Sequence, residues 1–581
     1  MKRTILLLGI LILLSQIVWA NVPFEPKRTP VISPSLEHIK TSVTSVWVYF
    51  TDRGFQTESE YAMALQHAKD QLLPHARWRR AKVLSDQMVS YCDLPVNPGY
   101  IQSVLASGVK RRTVSCYVNA ISVDATSEQI HTIANLPFVR AIDPVAKGKR
   151  YEPETNLNTP VNRHSQPPGT DELDYGPSRD QLAQINVIHV HEAGYSGEGV
   201  LLCLLDVGYK LDHEAFDSLR IVATRDFINN DSIVTNQPGD PEEQDNHGTF
   251  TLSTAAGLMP GQLYGPAYHA SILAGKTEIV DQEIPVEEDY YVAGLEWADS
   301  LGAEIVSTSL GYIDWYQWED MNGNTAVTTI GVDIAVANGI VCVTANGNER
   351  QSEWGHLIAP ADADSVIACG AVDVFDSLAG FSSPGPTYDG RIKPEVCAMG
   401  LDTYCATPWQ QNGYGYISGT SLSTPLVGGS VALILEAHPD WTPMMVREAL
   451  MMTADNALHP NNDYGWGIIN VEAAINYQFE SVPEHERGRF PIPSTLLVIG
   501  SYPNPFNSEI TLEYEIITPG DVTLEVFNLL GQTVEKRIMG YQSEGRHSLQ
   551  WNDVSSSSSG LYFYHLSRSQ ASHWGRWVYM K

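Results

Sequence analysis

Basic residues are what this 581-residue chain has least of for its size: 36 Lys and Arg stand against 68 Asp and Glu, a formal net charge of −32. Binding nucleic acid needs a basic footprint to neutralise phosphates, so this balance argues against a nucleic-acid partner. Cysteine is equally scarce. Seven in 581 residues cannot staple a disulfide scaffold, and the absence of any CxxC argues against a metal or redox site of that kind. Cys203, Cys342 and Cys369 sit inside apolar runs and read as small core residues. A Cys397–Cys405 pair suits the spacing, but sequence leaves it open. Beyond the first twenty residues no stretch approaches the ~18 continuous apolar residues of a membrane span, so a soluble mature protein is expected. What is present, 43% hydrophobic and 9% aromatic residues with 18% charged, is enough for packed cores rather than disorder. The length suits about three to five domains.

The missing positive charge is not spread evenly. Residues 1–175 hold 19 basic and 16 acidic residues, 176–480 hold 9 and 42, and 481–581 hold 8 and 10. The net negative charge therefore lies almost wholly in one middle block. Residues 1–20 read as a signal peptide: Lys2 and Arg3 start it, an apolar run from Ile5 to Leu14 follows, and Val18 and Ala20 are the small residues before cleavage.

Residues 21–150 precede the acidic block. Within them the pattern predicts a strand at 45–50, a helix over 59–72, one or two strands in 113–123, a helix over 126–136 capped by Ser127, and a strand at 138–145. This β-α-β-β-α-β order suggests a ferredoxin-like unit. Residues 151–178 turn to Pro, Asn, Gln, Ser and Gly, a linker composition.

Three motifs in the middle block carry chemistry. The apolar run Val200 to Leu205 reads as a strand buried on both faces of a parallel sheet, with Asp206 at its carboxyl end, the edge where such sheets collect functional groups. Asp245-Asn246-His247-Gly248-Thr249 places a histidine, able to act as a base near neutral pH, at the start of a helix. Gly419-Thr420-Ser421-Leu422-Ser423-Thr424-Pro425 opens an apolar helix to Ala437, and Ser421 sits at its N-terminus, where free N–H groups and the dipole favour an oxyanion. Gly428 and Gly429 allow that helix to pack closely. Each motif alone is weak: a strand-end Asp is usually a cap, a His-Gly pair usually surface, a Gly-Thr-Ser start often mere capping.

Taken in order as Asp, His and Ser, with Asp-x-Gly after a strand and His-Gly-Thr and Gly-Thr-Ser-x-Ser-Thr-Pro opening helices, residues from about 176 to 477 resemble the subtilase family of serine peptidases. The resemblance implies an α/β catalytic domain with a central parallel sheet, assigned here to 179–479. It also implies a triad of Asp206, His247 and Ser421. By the Gly-Asn-Glu context after the strand from Val341, it makes Asn348 the side-chain oxyanion donor, with Asn346 a nearby competitor. Ser309, Leu310 and Gly311 resemble the segment whose main chain pairs with an extended protein or peptide substrate. Departures are Pro384 where many relatives have a basic residue, Met399 for the Pro of Ala-Pro-Gly, and Phe250 after His-Gly-Thr. They bear on specificity rather than on the triad. The stretch Glu349 to Pro360 is read as bordering the primary pocket, with Glu349 and Glu353 as candidates for selecting basic side chains; the sequence does not fix the choice. The chemistry calls for no cofactor. Asp320-Met321-Asn322-Gly323-Asn324 has the alternating oxygens of a structural calcium loop and reads equally as a polar turn. Trp315 and Trp318 beside it are assigned to packing.

The same resemblance implies that 21–150 is an inhibitory propeptide, with cleavage falling in 145–178. Residues 480–495 read as a linker, and 496–581 as a small β-sandwich, from the alternation of Ile510, Leu512, Tyr514 and Ile516 and of Val522, Leu524 and Val526. Tyr502-Pro503-Asn504-Pro505-Phe506-Asn507, Asn528-Leu529-Leu530-Gly531-Gln532, Ser559-Gly560-Leu561-Tyr562-Phe563-Tyr564 and the terminal Lys581 resemble the type A sorting domain of the type IX secretion system. That implies export to the outside or outer surface of a Gram-negative bacterium. A generic binding module is the alternative for this tail, and its aromatics Tyr562, Phe563, Tyr564, Trp574 and Trp577 suit a core or a binding face. The expectation for the whole is a monomeric secreted serine endopeptidase made as a zymogen. Its rivals are an inactive subtilase-like binding protein, against which the intact triad and Asn348 argue, and an acid peptidase with a carboxylate base, against which His-Gly-Thr argues. Activity lost below about pH 6 supports the histidine.

Overall fold

A computed structural model describes residues 31–37, 43–84, 88–145, 154–155, 171–280, 288–313 and 316–479, and in the C-terminal module 496–502, 510–516, 520–528, 533–543, 545–552, 560–568 and 571–579. The signal-peptide reading, most of the 151–178 and 480–495 linkers, Trp315 and the Pro-Asn-Pro-Phe segment lie outside the described residues. The chain divides into two units, Met1–Tyr477 and Gln478–Lys581.

In the first unit, the N-terminal module is a five-stranded sheet in the order Val31–Ile32, Val139–Pro144, Thr44–Phe50, Ala120–Ala125, Lys110–Ser115. All pairings are antiparallel except that of Val31–Ile32, an edge strand the sequence pattern did not announce. The expected helices form as Glu58–Gln71 and Ser127–Ala134, but the cap of the second is Thr126, in a capping box with Gln129, rather than Ser127. Two further helices, Pro74–Leu84 and Pro98–Leu105, are additions to the β-α-β-β-α-β order.

The central domain is built on a seven-stranded, wholly parallel sheet in the order Val396–Met399, Ile367–Val372, Val341–Ala345, Ile305–Thr308, Leu201–Asp206, Ser271–Lys276, Arg220–Asp226. Strand alternation splits its core. Leu201, Cys203, Leu205 and Val306 join Tyr291, Val292 and Leu295 of helix Glu288–Leu301 in one cluster. From the other face Ser307 meets helix Thr420–Ala437, so closely that a side chain on Gly428 would lie 2.8 Å from Ser307 Oγ. That helix is apolar and long enough to span a membrane but 89% buried, which makes it a core helix. All seven cysteines are free thiols, Cys397 and Cys405 among them, so the suggested pair does not form.

The second unit holds two antiparallel sheets, Leu496–Tyr502, Ile510–Ile516, Gly545–Trp551 and Thr533–Gln542, Gly520–Asn528, Gly560–Arg568, Ala571–Tyr579. Its core contains every residue of the two alternating series, with Trp551, Tyr562, Tyr564 and Trp577. Those aromatics are therefore packing residues.

Candidate active site

Asp206 ends its strand at the carboxyl edge of the parallel sheet and is 1% exposed. Its Oδ1 accepts from the Val207 N–H at 2.8 Å and faces His247 Nδ1 at 2.7 Å. Its Oδ2 accepts from Thr251 Oγ1 at 2.9 Å. His247 and Thr251 lie four residues apart on helix Asn246–Ala256, so one helix face delivers both groups to one carboxylate. A carboxylate can only accept, so Nδ1 carries the proton and Nε2 of the neutral ring is the acceptor. The spacing His-x-x-x-Thr was the available signal for Thr251, and the motif reading passed over it.

Glycine sets the approach of this helix. A Cβ on Gly248 would lie 2.0 Å from the Gly208 carbonyl oxygen, so no other residue lets the helix start sit so close to the end of the Asp206 strand. Phe250 then packs with Leu422, Ile417 and Cys405 in a small buried cluster. Since Leu422 follows Ser421, the unusual Phe250 ties the histidine helix to the serine helix. A Cβ on Gly429 would meet the Ala255 carbonyl at 2.6 Å, which fixes the same pair of helices further along.

Ser421 is the second residue of helix Thr420–Ala437 and is 8% exposed. Its hydroxyl donates to the Ser309 carbonyl at 3.3 Å, and Ser309 Oγ donates to the Ser421 carbonyl at 2.9 Å. Ser309-Leu310-Gly311 is the continuation of strand Ile305–Thr308, so the expected substrate segment touches the serine directly. Asn348 Oδ1 accepts from both the N–H and the Oγ1 of Thr420, each at 2.9 Å. This fixes the amide so that its NH₂ is turned to the Gly419 side, 3.6 Å from where a Cβ on Gly419 would stand. Asn346 is fully buried and its Nδ2 donates to the Ser383 carbonyl at 2.7 Å, so its NH₂ is held by the backbone. Thr420, which orients Asn348, is a second residue that motif reading did not single out.

The segment 320–324 folds as a turn with local hydrogen bonds. Asp320 Oδ2 accepts from Gln317 N–H, Asn322 Oδ1 from Asn324 N–H, and Asn322 Nδ2 donates to the Glu319 carbonyl. Trp318 stacks on His356 at 3.9 Å and packs against the core.

Three family models match the chain: the "Subtilase family" over residues 197–467, the "Peptidase S8 propeptide domain, Bacteroidota" over 45–159, and the "Secretion system C-terminal sorting domain" over 501–579. Among curated relatives, Subtilisin DY of Bacillus licheniformis is 36% identical over 288 residues, which is 49% of this chain and 94% of that protein. Subtilisin E of Bacillus subtilis (strain 168) is 33% identical over 295 residues, 50% of this chain and 70% of the relative. Fervidolysin from Fervidobacterium pennivorans, whose structure is described as that of a keratinolytic enzyme related to subtilisin, shares the fold with a TM-score of 0.59 at 16% identity, over 96% of this chain and 94% of that one.

Proposed function

Because the chain belongs to the subtilase family and is a serine endopeptidase, we propose that its hydrolysis runs through Asp206, His247 and Ser421, with Asn348 as oxyanion donor. The observation that carries this reading is the 2.7 Å bond from His247 Nδ1 to a buried carboxylate, on a helix clamped to the one that starts at Ser421. His247 Nε2 takes the Ser421 proton as Oγ attacks the scissile carbonyl. Asp206 holds the tautomer and stabilises the imidazolium. Thr251 positions Asp206 by occupying its second oxygen. The oxyanion that forms is met by Asn348 Nδ2 and by the Ser421 N–H, which at the second position of a helix has no carbonyl of its own helix to bond. Collapse gives an acyl-enzyme, which water hydrolyses through the same histidine. No cofactor enters the sequence.

The N-terminal module is the propeptide, and the sorting tail makes this a secreted or cell-surface protein. That the propeptide acts as an intramolecular inhibitor is supported by the short strand Glu154–Thr155. It pairs antiparallel with Ile417 and Ser418, the residues leading to Ser421, so the chain leaving the propeptide passes beside the serine. Cleavage within 145–178 then frees a monomeric enzyme, and passage through type IX machinery across an outer membrane delivers it. Ser421→Ala tests the whole reading: casein hydrolysis falls at least ~10³-fold and the secreted form keeps its propeptide. Normal processing in that variant would sink it.

A further inference from the structure

We propose that Ile358 closes the pocket for the side chain on the amino side of the scissile bond, so that this enzyme cleaves after small residues: Gly, Ala and Ser. The inference rests on the catalytic reading above, which fixes where that side chain must go. The attacked carbonyl lies between Ser421 and Asn348. The side chain one bond away from it is flanked by the two backbone segments that hold those residues, Ser309–Gly311 and Asn346–Asn348. Each segment presents a glycine to the gap, Gly311 from one wall and Gly347 from the other.

The gap between these glycines is occupied. A Cβ on Gly311 would lie 2.1 Å from Ile358 Cδ1 and 2.5 Å from its Cγ1. A Cβ on Gly347 would lie 3.1 and 3.2 Å from Cγ1 and Cδ1 of the same side chain. One isoleucine arm therefore touches both walls. It is not a loose side chain that a substrate could push aside. The Ile358 N–H donates to the Asn346 carbonyl at 3.3 Å, and the next residue's carbonyl, on Ala359, accepts from Tyr312 N–H at 2.8 Å. The segment is thus stitched to both walls, and Ile358 is only 9% exposed. Its β-branch further restricts χ1. The two glycines leave room for a side chain, and this chain fills that room with its own.

Glu349 belongs to the same wall and is the charged alternative. It is 2% exposed, its N–H donates to Ser383 Oγ at 2.8 Å, and its Oε2 has no hydrogen-bond partner. A pocket that used this carboxylate would select Lys or Arg instead.

The test is a set of peptides differing only at the residue before the scissile bond, given to the processed wild-type enzyme. Ala and Ser are expected to exceed Phe, Leu and Lys by at least ~10-fold in kcat/KM, as one or two excess methylenes cost in a closed apolar pocket. Ile358→Gly is expected to raise kcat/KM for Phe relative to Ala by about 10- to 100-fold. Ile358→Val, which keeps the packing nearly whole, shifts the same ratio in the same direction by less. A wild type that cleaves after Phe or Leu as readily as after Ala overturns the proposal, whatever the variants do. So does selection of Lys or Arg that is lost in Glu349→Gln. Failure to cleave any peptide, with Ser421→Ala indistinguishable from wild type, overturns the catalytic reading and the pocket together.

Discussion

The propeptide sheet has two faces, and they are built on different physics. Strand Thr44–Phe50 is buried along its whole length, yet its side chains alternate between two destinations. Val46, Val48 and Phe50 join Ile121, Val123 and Ile142 in an apolar core that belongs to the module alone. Trp47 and Tyr49 point the other way and join the core of the catalytic domain. Around them that second face is charged. On helix Glu288–Leu301, Asp299 meets Arg79, Arg80 and the Tyr117 hydroxyl, and Asp289 takes Arg112 through both of its oxygens. Glu296 accepts from the N–H groups of Cys116 and Tyr117, and Glu288 accepts from the Trp47 indole. One face folds the module. The other docks on the catalytic domain, from which the proposed processing would release it. Apolar burial suits the first task, being strong and undirected. Buried ion pairs suit the second: they add little net stability over apolar packing, but a mismatched partner leaves a charge unpaired.

If that distinction is right, substitutions on the two faces fail differently. The largest effect is expected from Asp299→Ala, which leaves the buried Arg79 guanidinium without its carboxylate and Arg80 with Asp93 as its remaining carboxylate partner, at a cost of about 3–5 kcal/mol. In the unprocessed Ser421→Ala precursor it should raise amide exchange along Glu288–Leu301 while the strands of the propeptide stay protected. Next comes Ile142→Ala in the module's own core, costing about 2–5 kcal/mol for a buried isoleucine. Here the propeptide strands should lose protection first, with the helix following. Equal loss on both sides in each variant would erase the contrast. Ser122→Ala removes a hydroxyl bonded to Asp289, whose charge Arg112 still meets, so a loss of only about 1 kcal/mol in docking is expected.

The same contrast explains what could be read from the sequence. The candidate site could be assembled from the sequence because its parts are local: a strand end, a His-Gly step and a helix start each leave a short signature. Its supporting residues, Thr251 and Thr420, are ordinary threonines whose roles exist only once two elements meet. Helix Pro74–Leu84 left no trace in the apolar pattern because the face it buries is Arg79 and Arg80 with the single small Ala76. A hydrophobic period cannot report a helix that docks by charge. The charge partition did report it in sum, a basic leader facing an acidic block, without saying which residues pair. Ile358 was invisible for the same reason as Thr251: its neighbours, Gly311 and Gly347, lie 47 and 11 positions away in the chain.

The smallest expected effect on docking is that of pH between neutrality and about 4.5, where Asp299 stays charged and Glu296 alone begins to respond. Burial raises the pKa of Glu296 above its ordinary 4.5, outweighing the hydrogen bonds it accepts. Burial also acts to raise that of Asp299, but Arg79 and Arg80 together outweigh it and hold the group below its ordinary 3.8. A group whose pKa is higher docked than free binds a proton more readily when docked. As pH falls through the raised value, Glu296 therefore strengthens docking, and the gain is complete once pH is below 4.5. Asp299 works the other way: its contribution is whole above 3.8 and is lost as pH falls through its lowered value. Propeptide retention should thus hold or rise slightly from neutral pH to about 4.5 and collapse only below about 3.8. Release of the propeptide from the processed, unseparated complex across pH 3–7, followed by activity after return to neutral, measures this. Glu296→Gln should flatten the upper part of the curve and leave the lower part intact. Asp299→Asn should weaken docking wherever the wild-type carboxylate is charged and remove the acid collapse. Release that instead begins between pH 5 and 6 and survives both substitutions would assign the proton switch to other groups and leave this face a purely structural contact.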